Sequence, residues 1–337
     1  MAEKRLSNST SCTIKGLSVN PPLLLAPMAG LTHTAFRQLV AGFGGCGLFY
    51  TEMLSARALP HESPSSSPWL KRNHREKPIM YQLLVTRPEE IAPAIHKVEM
   101  SGADGIDLNM GCTAAAIIKR GGGVALMKDT SRAQKIVAAA RRATSLPLTA
   151  KIRLGYASQA AHLTEFARML EDTGVDALVV HARFKEDRLK RPARWQHIGN
   201  LRATLGIPII GNGDIDSPAA ALRMFRETGC HAVMIGRAVA RRPWLLQRIA
   251  AELFDFPCDN LQIDHAAVYN RFISLLQASL PPEYQFPLLK QFTFYFARNY
   301  SFGHTLWRLV QKAPSLDEAR IVANKFFNTE KPLPNVC

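Results

Sequence analysis

The stretch "PIIGNGDIDSPAAALRMFRETGCHAVMIGRA", residues 208–238, reads as one complete strand–helix–strand unit. A short apolar, β-rich run from Pro208 closes on Gly211, Asn212 and Gly213. Ser217 and Pro218 then form a helix start, an N-cap followed by the residue best suited to the first helical position. The helix stops at Gly229, and a second apolar run from Ala232 closes on Gly236 and Arg237. Two apolar strands joined by an amphipathic helix require a parallel pair with the helix packed on its face.

The same unit recurs upstream. "LLLAPMAG" begins at Leu23, "GLFYTEM" at Gly47, "PIMYQLL" at Pro78 and "GIDLNMG" at Gly105. "PLTAKIRLG" begins at Pro147 and "ALVVHAR" at Ala177. Helical stretches lie between them, one opening on Pro88, Glu89 and Glu90. Eight strands alternating with helices predict an α/β fold, a (β/α)8 TIM barrel. An open doubly wound sheet is the alternative, but no G-x-G-x-x-G follows the first strand. Beyond Leu253 the pattern changes. "DFPCDNLQID" reads as a linker and the rest as helices, with Ser315 and Glu318 forming a capping box. The expected organisation is a barrel over residues 1–254 and a smaller all-helical domain over 255–337.

Composition narrows the function. No apolar run approaches the ~18 residues of a membrane span, and the N-terminus lacks the apolar core of a signal peptide, so a cytoplasmic protein is expected. Cys12, Cys46, Cys112, Cys230, Cys258 and Cys337 include no C-x-x-C pair, which argues against a zinc site or a disulfide framework. Lys and Arg total 42 against 27 acidic residues, a net charge of +15. Such an excess points to a polyanionic partner, the alternative being a basic protein with no nucleic-acid role. The tail adds Lys290, Arg298, Arg308, Lys312, Arg320 and Lys325. Its aromatics read mostly as core, and its cations as an RNA-facing surface. No extended apolar interface is evident, so a monomer is expected.

In a TIM barrel the chemistry sits where the strands end. Here those ends carry Met28, Glu52, Gln82, Asn109, Cys112, Lys151, Arg153, His181, Arg183, Asn212, Gly236 and Arg237. The glycine turns after the seventh and eighth strands, with Arg237, suit a phosphorylated cofactor. Lys151 needs a partner inside an apolar strand: either a structural salt bridge or the negative charge of a group such as a reduced flavin. Gln82 can both donate and accept. His181 is either a satisfied core histidine or a cofactor contact. Cys112, in "DGIDLNMGCTAAAIIKRGGG" (104–123), could be packing, ligand, nucleophile or acid.

"LAPMAGLTHTAFR", "MYQLL", "IDLNMGC", "TAKIRLG", "VVHAR", "PIIGNGDI" and "VMIGRA", in this order, resemble the tRNA-dihydrouridine synthases. These are FMN-dependent TIM barrels with a C-terminal helical RNA-binding domain. The resemblance runs from about Leu23 through Arg237. It implies that Pro27 and Met28 lie against the flavin, that Gln82 and Lys151 bond its ring and that His181 sits beside it. It places the FMN phosphate at Asn212, Gly213, Gly236 and Arg237. It also makes Asn109 a uracil contact and Cys112 the catalytic acid. Thr113 stands where the family usually has proline, lysines usually lie nearer the cysteine, and "HARFKEDRLKRPARW" replaces the usual "HGRT".

The reaction so implied adds hydride to C6 of uracil and a proton to C5, with NADPH or NADH as electron donor. A thiol of pKa ~8.5 is still protonated at neutral pH and can supply that proton. Lys119 and Arg120 in "KRGGG" are expected to form a closing loop that meets RNA phosphates. Arg153, Arg183 and the cations through Arg194 would hold the tRNA, or another structured RNA, at the rim. Lys4, Arg5 and Lys15 would add to that surface. The remaining readings are a flavin oxidoreductase of a free pyrimidine or other small molecule, and an inactive RNA-binding protein on the same scaffold.

Overall fold

The computed structural model describes residues 12–63, 67–187, 191–257 and 262–333. Lys4, Arg5, Arg188, Lys190, Cys258 and Cys337 lie outside them. The chain opens with a hairpin of β1 (Cys12–Ile14) and β2 (Leu17–Val19), joined by Lys15 and Gly16, both at positive φ. The barrel strands follow: β3 (Leu23–Leu25), β4 (Phe49–Ser55), β5 (Ile79–Leu84), β6 (Gly105–Met110), β7 (Leu148–Arg153), β8 (Ala177–His181), β9 (Ile209–Asn212) and β10 (Ala232–Ile235). They form one parallel sheet in the order β3-β10-β9-β8-β7-β6-β5-β4. A parallel bridge between Leu24 and Leu48 closes it, with Leu25 N–H donating to Leu48 O at 3.0 Å. The sequence predicts this barrel strand for strand.

The helices are α1 (Thr34–Phe43), α2 (Ile91–Met100), α3 (Ala115–Lys119), α4 (Thr130–Ala143), α5 (Leu163–Asp172), α6 (Gln196–Thr204), α7 (Pro218–Thr228), α8 (Arg237–Arg241) and α9 (Leu245–Phe254). The C-terminal set is α10 (His265–Ser279), α11 (Pro282–Phe296), α12 (Gly303–Lys312) and α13 (Leu316–Thr329). Helix ends follow the local chemistry. Ser217 caps α7 by accepting the Ala220 N–H at 3.2 Å, and Gly229 ends it at φ 63. Ser315 caps α13 through the Glu318 N–H. One unit departs from the expected repeat. Between β4 and β5 the described residues hold only a 3-10 turn, Leu59–His61, because the Pro- and Ser-rich "LPHESPSSSPWL" cannot sustain a helix.

Alternate strand residues divide between two cores, as a pleated strand requires. Leu25, Tyr81, Leu83, Leu108, Ile152 and Val180 face the helices. Leu24, Tyr50, Met80, Val179, Ile210 and Met234 fill the barrel, together with Cys12, Ile14 and Val19 of the hairpin. The hairpin therefore plugs the barrel at its N-terminal end. Lys15, expected on the RNA-facing surface, is in the hairpin turn at the end opposite the strand termini.

Candidate active site

Strands β5, β6 and β7 place polar residues in the barrel at alternate positions: Gln82, Asp107, Asn109, Thr149 and Lys151. The register pairs Gln82 with Asp107, Asp107 with Thr149, and Asn109 with Lys151. Above them, at the C-terminal ends of the strands, opens a cavity of about 610 Å³. Pro27, Met28, Gln82, Asn109, Cys112, Lys151, Arg153, His181, Asn212, Gly213, Gly236 and Arg237 all line it. These are twelve of the fifteen residues expected at the site.

Cys112 is a free, half-buried thiol just past β6. Its backbone is fastened from three sides. Asn109 Oδ1 accepts the Gly111 and Cys112 N–H groups at 3.2 and 3.0 Å. Val124 N–H donates to Cys112 O at 3.0 Å, and Arg153 Nε donates to Gly111 O at 3.0 Å. The segment expected to be a closing loop, residues 119–123, is a short turn from the end of α3 to a 3-10 turn, Gly123–Met127.

Lys151 Nζ donates to Asn212 Oδ1 at 3.2 Å, and Asn212 Nδ2 in turn donates to Met234 O at 2.7 Å. Burial, then the neighbouring Arg153, pushes the Lys151 ammonium down to about 8, with Asp107 and Cys112 opposing. It is still charged at neutral pH. His181 is held neutral, first by burial and then by Lys151, Arg153, Arg183 and Arg237. Arg183 Nη1 lies 3.2 Å from its Nε2. A guanidinium can only donate, so Nε2 accepts and the ring proton is on Nδ1.

Arg183 is only 3% exposed and does not line the cavity. It grips both oxygens of Asp214 at 2.5 and 2.6 Å and donates to Arg191 O. Its role here is to hold His181 and the Asp214 turn, rather than to face solvent. Two other cations of its loop are held by neighbours: Arg194 pairs with the buried Asp187, and Lys185 lies over the Tyr156 ring, while Arg191 is 72% exposed. Lys119 and Arg120 line a separate cleft with Arg57, Thr86, Arg87, Glu89 and Glu90.

Several wall residues were not expected from the sequence, Asp214, Asp216, Arg241, Arg242 and Tyr295, and Arg298, read as an RNA-facing cation of the tail, joins them. The double arginine straight after "IGRAVA" was the one available signal. Tyr295 and Arg298 come from the helical tail, which therefore forms part of the cavity wall. Among the described residues, no group of three or more His, Cys, Asp or Glu could hold a metal, and no helix is long and apolar enough to cross a membrane.

The family model of dihydrouridine synthase matches residues 24–307. The chain belongs to that family. A probable tRNA-dihydrouridine synthase from Mycobacterium tuberculosis is 32% identical over 99% of this chain and 90% of its own length. Probable tRNA-dihydrouridine synthase 1 of Synechocystis sp. is 36% identical, over 70% of this chain and 66% of that one. Among solved structures, histamine dehydrogenase from Rhizobium sp. 4-9 superposes with a TM-score of 0.60 at 13% identity. That match covers 79% of this chain and 50% of the other, and the likeness is one of fold. The dihydrouridine synthase motifs thus sit on the barrel the family implies, with their polar residues gathered in one cavity.

Proposed function

We propose that this chain reduces the C5–C6 double bond of particular uridines in tRNA to 5,6-dihydrouridine, as a cytoplasmic monomer. The observation that carries the reading is a free thiol, Cys112, at the wall of a barrel cavity in a chain of this family. The relatives' names specify tRNA, and a net charge of +15 suits a polyanionic substrate.

FMN fits the residues present. Gln82 gives one N–H to Asp107 and accepts one from Asn109, which leaves it one donor and one acceptor for a ring edge carrying both. Arg153 Nη1 is buried with no partner among the described residues, as expected of a group awaiting an anion or carbonyl. A Cβ on Gly213 would lie 2.9 Å from Ala193 and one on Gly236 3.3 Å from Ala26, so both turns pack at close range. With Asn212 and Arg237 these turns would hold the phosphate, and Pro27 and Met28 would lie against the ring. When bound, the flavin supplies hydride for uracil C6, replenished from NADPH or NADH.

The remaining chemistry belongs to the chain. Cys112 holds the proton destined for C5 and passes it on. Asn109 has a single N–H left for a uracil carbonyl, its other N–H going to Gln82 and its oxygen to the Cys112 turn. Lys151 would supply positive charge beside a reduced ring, and neutral His181 would lie beside the cofactor without adding to that charge. Extruding a base from its stack costs a few kcal/mol, which contacts to the rest of the RNA must offset. Lys119, Arg120 and Arg153 are candidates for those contacts.

The test is a dihydrouridine map of tRNA and rRNA from cells lacking the gene, complemented with wild type or Cys112→Ala. Signal lost at defined tRNA positions and restored only by wild type is expected. In vitro, Cys112→Ala should lose about 10²–10⁴-fold in rate while retaining the flavin spectrum. A Cys112→Ala chain that restores the map rules out the cysteine as the acid. An unchanged map from a colourless protein would favour an inactive RNA-binding scaffold.

A further inference from the structure

Asp107 is fully buried and does not line the cavity, yet it begins a hydrogen-bonded relay that ends at the backbone of the Cys112 turn. Thr149 Oγ1 donates to its Oδ1 at 2.5 Å and Gln82 Nε2 to its Oδ2 at 2.7 Å. Asn109 Nδ2 donates to Gln82 Oε1 at 2.8 Å, and Asn109 Oδ1 accepts the N–H groups of Gly111 and Cys112. An ionised carboxylate can only accept, and a backbone N–H can only donate. A chain of two amides between such ends has one fully satisfied orientation. Reversing either amide would set N–H against N–H or oxygen against oxygen, at the cost of buried unpaired groups.

We propose that Asp107 is a positioning residue: it sets the direction of both amides, and so fixes the pose of the Cys112 turn and what Gln82 and Asn109 present to cofactor and base. The inference deepens the reductase reading and rests on it for the consequence to catalysis. The groups facing Asp107 agree with its role. Burial pushes its carboxyl up to about 6, while Thr149, Gln82 and the Lys151 ammonium hold it down. It is therefore an acceptor at neutral pH. Tyr50, from β4, is kept as a neutral phenol by burial and by Asp107.

The decisive experiment reverses the relay. Asn109→Asp removes the donor facing Gln82 Oε1 and leaves Gln82 between two carboxylates. Adding Asp107→Asn lets the whole relay run backwards, with the new amide donating to Gln82 and Gln82 donating to the new carboxylate. The readout is peptide-resolved iodoacetamide labelling of Cys112 in the purified full chain. The single Asn109→Asp change should raise the labelling rate at least fivefold, and the double change should return it to within twofold of wild type. In a second arm, Asp107→Leu should also raise labelling at least fivefold and lower kcat at least tenfold, with KM for tRNA within twofold. Asp107→Asn alone keeps an acceptor for Gln82 and should stay near wild type in both.

Failure of the double change to restore labelling would overturn the proposal. So would Asp107→Leu that folds and labels at the wild-type rate, or Asp107→Asn as impaired as Asp107→Leu. Labelling does not depend on turnover. A wild-type protein that makes no dihydrouridine would therefore sink the reductase reading and leave the relay to be judged separately.

Discussion

Glu52, at the end of β4, accepts the Gly30 N–H at 2.7 Å through one oxygen, while the other is buried without a partner among the described residues. Burial pushes its carboxyl up to about 7, against the Gly30 N–H and Arg37. The folded-state pKa is thus above the unfolded one, and between about 4.5 and 7 the native state holds a proton that the unfolded chain has released. Stability from this group is accordingly lost as pH rises through that window. Glu52→Gln keeps an oxygen for Gly30 and abolishes the titration. Relative to wild type, it should gain about 2–3 kcal/mol of stability between pH 5 and pH 8. Urea melts at the two pH values measure this, and a constant gap would show that Glu52 titrates normally. The gain would come at a position that supports the Pro27–Met28 loop, so flavin retention should be unchanged.

The turn that presents Cys112 makes an element-scale test. Gly123 has φ 58, and a Cβ there would lie 2.5 Å from Cys112 O, the atom that accepts the Val124 N–H. Gly123→Ala must therefore move the cysteine's own backbone, at a stability cost of about 1–2 kcal/mol. Dihydrouridine formation should fall at least tenfold. Gly16→Ala is the control, since its φ is 83 and nothing lies within 4 Å of the added Cβ. It should lower Tm without touching activity. The contrast between these turns bears on what could be read in advance. Eight strands were legible because each is a β-rich run closed by polar or glycine residues. The β1–β2 hairpin was not, because its three-residue strands, CTI and LSV, each break their apolar run with a polar residue, unlike the LLL of β3. Asp107 stood in plain view in "GIDLNMG", but its meaning depends on the register of β5 and β7, which spacing along one strand cannot supply. Of the cations of residues 183–195, read as RNA-facing, Arg194 is drawn to Asp187 and Arg183 to Asp214 on a different loop, while Arg191 stays 72% exposed.

At the scale of the whole molecule, the expected division at residue 254 crosses one continuous core. Phe36 of α1 lies 6.3 Å from Phe272 of α10 and 6.1 Å from Phe292 of α11. The Trp244 and His265 rings lie 5.1 Å apart, tilted by 41°, and Arg241 and Asn299 exchange hydrogen bonds at 3.0 and 2.7 Å. Gln291 of α11 donates to Ala29 O, beside the loop expected to meet the flavin. Removing residues 255–337 would uncover Phe36 and Trp244, both fully buried or nearly so, and the truncated chain should aggregate. RNA binding by the tail is better tested on its surface. Phe292, Phe296 and Tyr300 are core, but Phe294 and Trp307 are 43% and 41% exposed, and Arg298 lies 4.4 Å above the Phe294 ring. Arg298 also lines the cavity, and Arg308 is exposed on α12. If each neutralises one phosphate, Arg298→Gln with Arg308→Gln should lower the slope of log affinity against log salt by about 1.5. Tm should not change, since neither guanidinium is buried. An unchanged salt slope would place the RNA on another face, and the cleft of Arg57, Arg87, Lys119 and Arg120 would be the next surface to alter.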